Sequence, residues 1–265
     1  MAGFFGFFDF EKAGKGVNKN EPKKYRFFLF FEYLSIRFWK LATLNMLYIA
    51  ACLPIITIGP ATAGFTLVLR NFARDEHAFV WSDFIGAAKK NWKQSLAVSI
   101  INAIFGFLLF SAIYFYYQTA KDIMGFLPVG LGLFFVLCYL FMQYYIYIMI
   151  VTFKFSLKQL YKNSLILALA ALRTNIITTF FLLLIWLFLA FLFISNAIGF
   201  SIVIFIVLSI AVSLSGFIIV FNSYPHIQKH IIDPYYAEQE KLNGEESKET
   251  LPEAIFKDRG REDKN

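Results

Sequence analysis

The sequence predicts an all-α fold, a polytopic transmembrane bundle of about six membrane helices with interfacial amphipathic helices beside them. Three observations predict it. The 265-residue chain is 58% hydrophobic and only 16% charged, whereas soluble domains carry roughly 25% charged residues. Several apolar runs reach the ~20 residues that cross a bilayer as a helix. The basic residues gather in the links between those runs, where topology determinants lie.

Residues 1–25 form a polar segment with an aromatic head, Phe4-Phe5-Gly6-Phe7-Phe8. Asp9, Glu11 and Lys12 follow at once and no basic stretch precedes the head. No cleavable signal is expected, so the first internal helix acts as an uncleaved one. Residues 26–40 intersperse Arg26, Glu32, Arg37 and Lys40 among apolar positions. That pattern suits an interfacial helix leading into a span, with Glu32 and Arg37 near the headgroups.

The clear apolar segments are 41–58, 96–117, 123–153, 176–194 and 198–221. Pro128, Gly130 and Gly132 in the third predict a late helix start or a kink. Asn196 marks a short turn between the last two. The membrane domain is placed at 26–232. The tail, 233–265, holds 10 acids against 6 bases and is expected to be cytoplasmic and disordered.

The formal net charge of +7 is no nucleic-acid signal, because the bases flank apolar runs. The expected contacts are membrane lipids, with no nucleic acid. Basic links belong in the cytoplasm. This places residues 70–93, residues 154–173 and both termini inside, and the links at Lys121 and Asn196 outside. A basic N-terminus and a basic 70–93 link on one side require a return between them, yet one apolar run separates them. Pro54, Gly59, Pro60 and Gly64 resolve the conflict. Pro54 disfavours continued helix, and Gly59-Pro60 is expected to form the turn into a second helix at 60–74. At 1.5 Å per residue that helix is about 22 Å long, short of a ~30 Å core. Re-entry and a full crossing both stay open. Ala61, Ala63 and Gly64 would let it pack closely. Both basic links read as amphipathic helices feeding a span, one at 81–92 with Ser82 as N-cap and one at 155–163.

The chemistry is sparse. Intramembrane ionisable residues are the usual mark of function, and the spans hold none at mid-depth. Asn45, Asn102, Gln143, Thr178, Thr179, Ser209, Ser213 and Ser215 read as interhelical hydrogen-bond partners. A proton-coupled pump, an intramembrane aspartyl protease and a voltage sensor are therefore disfavoured. His226 and His230 share a helical face without a third ligand at suitable spacing. Cys52 and Cys138 lie in apolar runs. No catalytic motif is present, so neither an enzyme nor a metal or other cofactor is expected. The candidate surface for a partner or an anionic lipid is Arg70, Arg74, Asp75 and His77, with Glu76 among them, together with Lys89, Lys90 and Trp92.

Several stretches carry a family resemblance: Asn20-Glu21-Pro22-Lys23-Lys24-Tyr25-Arg26, Lys40-Leu41-Ala42-Thr43-Leu44-Asn45, and above all Leu53-Pro54-Ile55-Ile56-Thr57-Ile58-Gly59-Pro60-Ala61-Thr62-Ala63-Gly64. Arg70-Asn71-Phe72-Ala73-Arg74-Asp75-Glu76-His77 and Trp81-Ser82-Asp83-Phe84 follow. In these the chain resembles the YesL-like family, a bacterial integral membrane domain of unknown function. The resemblance implies association with carbohydrate uptake and utilisation, and implies no catalytic residue. The expected function is thus an accessory or regulatory component of a sugar-transport complex in the cell membrane. The alternative is a small transporter or channel using the bundle. It requires Asn45, Asn102, Gln143 and Asn222 to face one cavity. A weaker alternative is a lipid-interacting envelope protein.

Overall fold

The computed structural model describes residues 25–239. The expectations for residues 1–24 and for 240–265 lie outside the described residues. Among the described residues every regular element is helical: α1 (Arg26–Cys52), α2 (Ile58–Ala73), α3 (Val80–Lys90), α4 (Trp92–Thr119), α5 (Leu127–Thr152), α6 (Leu157–Ala170), α7 (Leu172–Ser195), α8 (Ala197–Ile206) and α9 (Val212–Ile227). Five helical stretches are long and apolar enough to cross a membrane: Ile55–Ala73, Trp92–Thr119, Met124–Thr152, Leu172–Ser195 and Ala197–Gln239. The protein is a multi-pass helical membrane protein. Its last helix runs to Gln239, so the first residues of the tail expected to be disordered are helical.

The chain divides into two compact units, Met1–Ile36 and Arg37–Asn265. Within the described part of the first, the start of α1 is aromatic, with Phe27 and Phe31 edge to face at 4.9 Å. Everything below concerns the second unit.

From Arg37 onward α1 runs antiparallel to α2. Arg37 Nη1 donates to Phe72 O at 2.9 Å near one end, and the Tyr48 and Thr62 hydroxyls meet at 3.1 Å further along. The turn between them differs from the one the sequence predicts. Helix α1 ends at Cys52, a 3-10 turn occupies Ile55–Thr57, and α2 already begins at Ile58. Gly59 and Pro60 are therefore in the first turn of α2, where backbone N–H groups have no intrahelical partner and proline removes nothing. The break falls earlier because Pro54 cannot donate to the turn before it. Thr57 then closes the loop, its hydroxyl directed at Ala51 O (2.5 Å) and Pro54 O (2.6 Å).

Gly59 and Gly64 serve packing rather than turning. A Cβ at Gly59 would lie 2.5 Å from Ser95 O, and one at Gly64 would lie 2.4 Å from Phe84 O. Glycine is what lets α2 seat against α4 and α3. Ala61, Ala63, Val68, Leu69 and Phe72 complete its buried surface.

Helix α3 starts two residues before the expected cap. Ser82 lies inside it, and Asp83 reaches back to accept the Phe79 N–H at 2.9 Å. Helix α6 has Ser156 as N-cap in a capping box with Gln159. Pro128 sits in the first turn of α5, so the late start is the outcome and not a kink. Asn196 caps α8 by accepting the Gly199 N–H at 2.7 Å. A π-turn at Val207–Ala211 separates α8 from α9.

The core gathers where α1, α2, α5 and α9 meet, around Leu41, Leu44, Leu69, Phe72, Tyr145, Met149 and Phe217. Large apolar side chains on α4 and α7 such as Phe107, Phe110, Leu187 and Phe191 stay exposed. A bilayer, itself apolar, is the medium that accommodates such surfaces.

Candidate functional site

The candidate surface is built where α2 ends. Arg70, in its last turn, donates to Val151 O at 3.0 Å and Thr152 Oγ1 at 3.1 Å, and holds Asn71 Oδ1 with its other nitrogens. It thereby satisfies one carbonyl that α5 leaves open at its C-terminus, that of Val151, where a cation is also favoured by the helix dipole. Arg37 pairs with Asp75 and stacks on the Phe72 ring at 5.6 Å. Asp75 takes a left-handed backbone at φ 59°, just past the helix. Arg74 pairs with Glu76 at 2.8 Å and lies over the Tyr224 ring of α9 at 5.4 Å. His77 meets Phe79 edge to face at 5.6 Å.

The predicted cluster therefore divides. Arg70, Arg74 and Asp75 are each tied to another element, joining α2 to α5, α9 and α1, although Arg74 and Asp75 stay exposed. Lys89 and Lys90, at the end of α3, are exposed and form no ion pair among the described residues. Lys93 stands over the exposed Trp92 ring at 5.6 Å. Pro54, Gly59, Pro60 and Gly64, grouped by the sequence as one structural turn, are separated into one turn residue and three residues of α2. Arg37 was the residue sequence reasoning missed. Its place in an apolar helix suggested a headgroup contact, yet it is buried, and the partners that explain this lie 35 and 38 positions away.

The second basic link comes to the same end of the bundle. Gln94 Nε2 donates to Phe155 O at 2.6 Å, tying the start of α4 to the α5–α6 junction. Lys154, Lys158, Lys162 and Arg173 are exposed there. Between α2, α3 and the end of α5 lies a pocket of about 520 Å³, walled by Ser82, Asp83, Gly86, Lys90, Thr152 and Lys154 among others. A side chain at Gly86 would meet nothing within 4 Å, so the pocket is open along that edge. Lys121 and Asn196 are at the far ends of the helices.

The four intramembrane amides do not converge on one cavity, although two of them meet each other. Asn45 is fully buried, donates to Val207 O at 2.9 Å and Leu208 O at 2.8 Å, and accepts the Ser213 N–H at 2.8 Å. It occupies the π-turn, where the backbone ladder is interrupted. Tyr161 donates to Asn102 Oδ1 at 2.8 Å, and Asn102 Nδ2 donates to Gln143 Oε1 at 2.7 Å. Burial pushes the Tyr161 phenol up to about 12, so it keeps its proton as donor. Asn222 donates to Thr178 at 3.1 Å. Of the four amides set out for a polar path, Gln143 alone borders the cavity of about 230 Å³ between α1, α2, α5 and α9. His226 stacks parallel to His230 at 6.4 Å and meets Thr174 at 3.0 Å. Among the described residues no three His, Cys, Asp or Glu side chains are grouped to hold a metal ion.

A family model described as a protein of unknown function, DUF624, matches residues 41–113. The matched stretch holds the α1–α2 hairpin from Leu41, all of α3 and most of α4, and with them Arg70 to Trp92. No curated protein and no solved structure matches the chain.

Proposed function

We propose that this membrane protein is a non-enzymatic accessory or regulatory component that docks a partner protein through its basic end, with that end and both termini on the cytoplasmic side of the cell membrane. One observation carries the reading. Arg37, Arg70 and Arg74 are each held by partners from other parts of the bundle, while Lys89, Lys90, Lys154, Lys158, Lys162 and Arg173 from two separate links are exposed without carboxylate partners among the described residues, Lys90 and Lys154 on one pocket wall. A surface of that kind selects an acidic partner and steers its approach. The sugar-transport complex is the partner we infer from the YesL-like resemblance; the comparisons add no carbohydrate link. The transporter reading loses support because Asn45 and Asn222 bond to other helices away from the Asn102–Gln143 pair, and of the four amides only Gln143 borders a cavity.

A photoreactive benzoylphenylalanine at position 90, introduced into the full chain in native membranes, tests the reading. Recovery of one protein partner, lost when Lys154, Lys158 and Lys162 become Glu, is the expected result. Adducts with lipid alone would favour a second reading, which the pocket beside Lys90 and Lys154 supports. In that reading the basic end holds anionic headgroups, each cation contributing about 1 kcal/mol.

A further inference from the structure

Asp83, Gly86, Ala87 and Lys90 line the pocket of about 520 Å³ from α3. Their spacing, i, i+3, i+4 and i+7, puts all four on one helical face. Lys154, just past the end of α5, lines it too. Among the described residues these two lysines and Asp83 are the charged side chains of the lining, a net of +1. Both lysines are exposed, and neither pairs with Asp83 or with another carboxylate among the described residues. The opposite charges are therefore held apart. Asp83 and Lys90 stand two turns apart on α3, about 10 Å at 1.5 Å per residue. Gly86 leaves the space between them open.

The lining asks for different groups at different places. Lys90 and Lys154 suit a phosphate, which ammonium groups hold by charge-assisted hydrogen bonds. Asp83 repels a second anion. Its Oδ2 accepts the Phe79 N–H at 2.9 Å, while Oδ1 has no donor among the described residues and suits a hydroxyl. Helices α3 and α5 both end at the pocket, and helix C-termini present carbonyls that also take donors. The net of +1 matches a phosphodiester, which carries one negative charge, esterified to an uncharged alcohol. The remaining lining is apolar. Leu67 lies one turn further into the bundle than Arg70 on α2, and Ile150 one turn further in than Lys154. Polar at the end of the bundle and apolar toward its interior, the pocket has the polarity of a headgroup joined to acyl chains.

We propose that this pocket seats an anionic phospholipid with a glycerol headgroup, its phosphate on Lys90 and Lys154, its diol on Asp83 and its first acyl carbons beside Leu67 and Ile150. The proposal rests on the headgroup reading of the basic end, and narrows it from a general attraction to one site and one lipid class. Lys89, Lys158, Lys162 and Arg173 do not line the pocket, so they remain for a protein partner.

Photolabelling of the full chain in phosphatidylcholine nanodiscs tests this. The probe is phosphatidylglycerol with a diazirine near the carbonyl of one acyl chain. Unmodified lipids compete with it: phosphatidylglycerol, phosphatidylethanolamine, and phosphatidylmethanol, which has the same charge and no diol. The expected result is saturable labelling on α2 and α5 beside the pocket. Phosphatidylglycerol should displace the probe about tenfold better than phosphatidylmethanol, the effect of one hydrogen bond to a charged group. Asp83→Asn, which keeps an acceptor for the Phe79 N–H, should reduce that preference to within about threefold, because a neutral acceptor binds a hydroxyl more weakly. Gly86→Trp fills the pocket without changing its charge and should abolish saturable labelling. If Gly86→Trp fails to fold, Asp83→Asn and the competition in the unaltered protein decide. Equal displacement by the two anionic lipids would overturn the site and leave the general headgroup reading standing. No displacement by either would overturn both. A preference for phosphatidylethanolamine, saturable labelling that survives in folded Gly86→Trp, or displacement by soluble glycerophosphoglycerol as effective as by the lipid would each overturn the proposal.

Discussion

Arg37 shows how a single side chain changes its meaning once its surroundings are known. In the sequence it reads as a cation near a span, able to reach the headgroups. In the fold its guanidinium closes the C-terminal end of α2 through Phe72 O and Asp75 while its carbon lies over the Phe72 ring. Hydrogen bonds to a charged group contribute about 1.5–3 kcal/mol. Arg37→Met should therefore lower unfolding stability in detergent by about that much. Arg37→Lys should recover only part of it, because an ammonium lacks the planar fork; full recovery would show that charge alone matters. The Arg70–His77 cluster was legible as a unit, since its charges are adjacent. Which of its members are free was not, because the deciding partners, Arg37, Val151 and Tyr224, are far away in the chain.

At the level of elements, hydropathy located the last four spans well, and the amphipathic stretch at 155–163 located the start of α6; the first apolar run, 41–58, was instead divided, with the long apolar stretch at Ile55–Ala73. Positions governed by competing local signals were less legible. Gly59-Pro60 has turn chemistry, but Pro54 had already broken the preceding helix, and Thr57 supplied the oxygen contacts that close the loop there. Ser82 is a good cap, but Asp83 reaches the Phe79 N–H first. What glycine does in α2 is visible only in three dimensions, where neighbouring backbones leave no room for a Cβ. Overpacking a tight site costs about 1–3 kcal/mol, and backbone cannot yield as a flexible side chain does. Gly64→Val should thus separate α3 from α2 and reduce the yield of monodisperse protein in detergent, whereas Gly86→Val, facing open space, should behave as the unaltered chain. Equal yields from both variants would contradict the close packing.

Across the molecule, the distribution of charge predicted that the two basic links share one side, and the Gln94–Phe155 bond places them together. The depth of the α1–α2 hairpin was not legible, because length alone allows a re-entrant and a crossing arm. The tip now bears on it. Leu53, Ile55 and Ile56 are 80%, 82% and 74% exposed, an apolar surface ill suited to water. Two prolines near the tip lack N–H groups, and the Thr57 hydroxyl faces two of its carbonyls. Irregular backbone at membrane depth needs such internal partners. With Cys52 and Cys138 replaced by Ser, a cysteine at position 56 should resist a membrane-impermeant maleimide from either face, while cysteines at Asp122 and Lys90 react from opposite faces. Fast labelling at 56 would place the tip in water.

Asn45 adds a dimension of time. The carbonyls and the N–H that complete its hydrogen bonds belong to residues 162 to 168 positions later. At ~5–20 residues per second of synthesis, the hairpin waits roughly ten to thirty seconds before that segment exists. During the wait its inner surface carries an amide with nothing to bond, and the last helix is the piece that closes over it. Among the described helices that contact joins the first made to the last, so it cannot form before Val207 and Ser213 have been synthesised. A nascent chain halted before Val207 would hold the hairpin in an open state that quality control can tell from the finished protein.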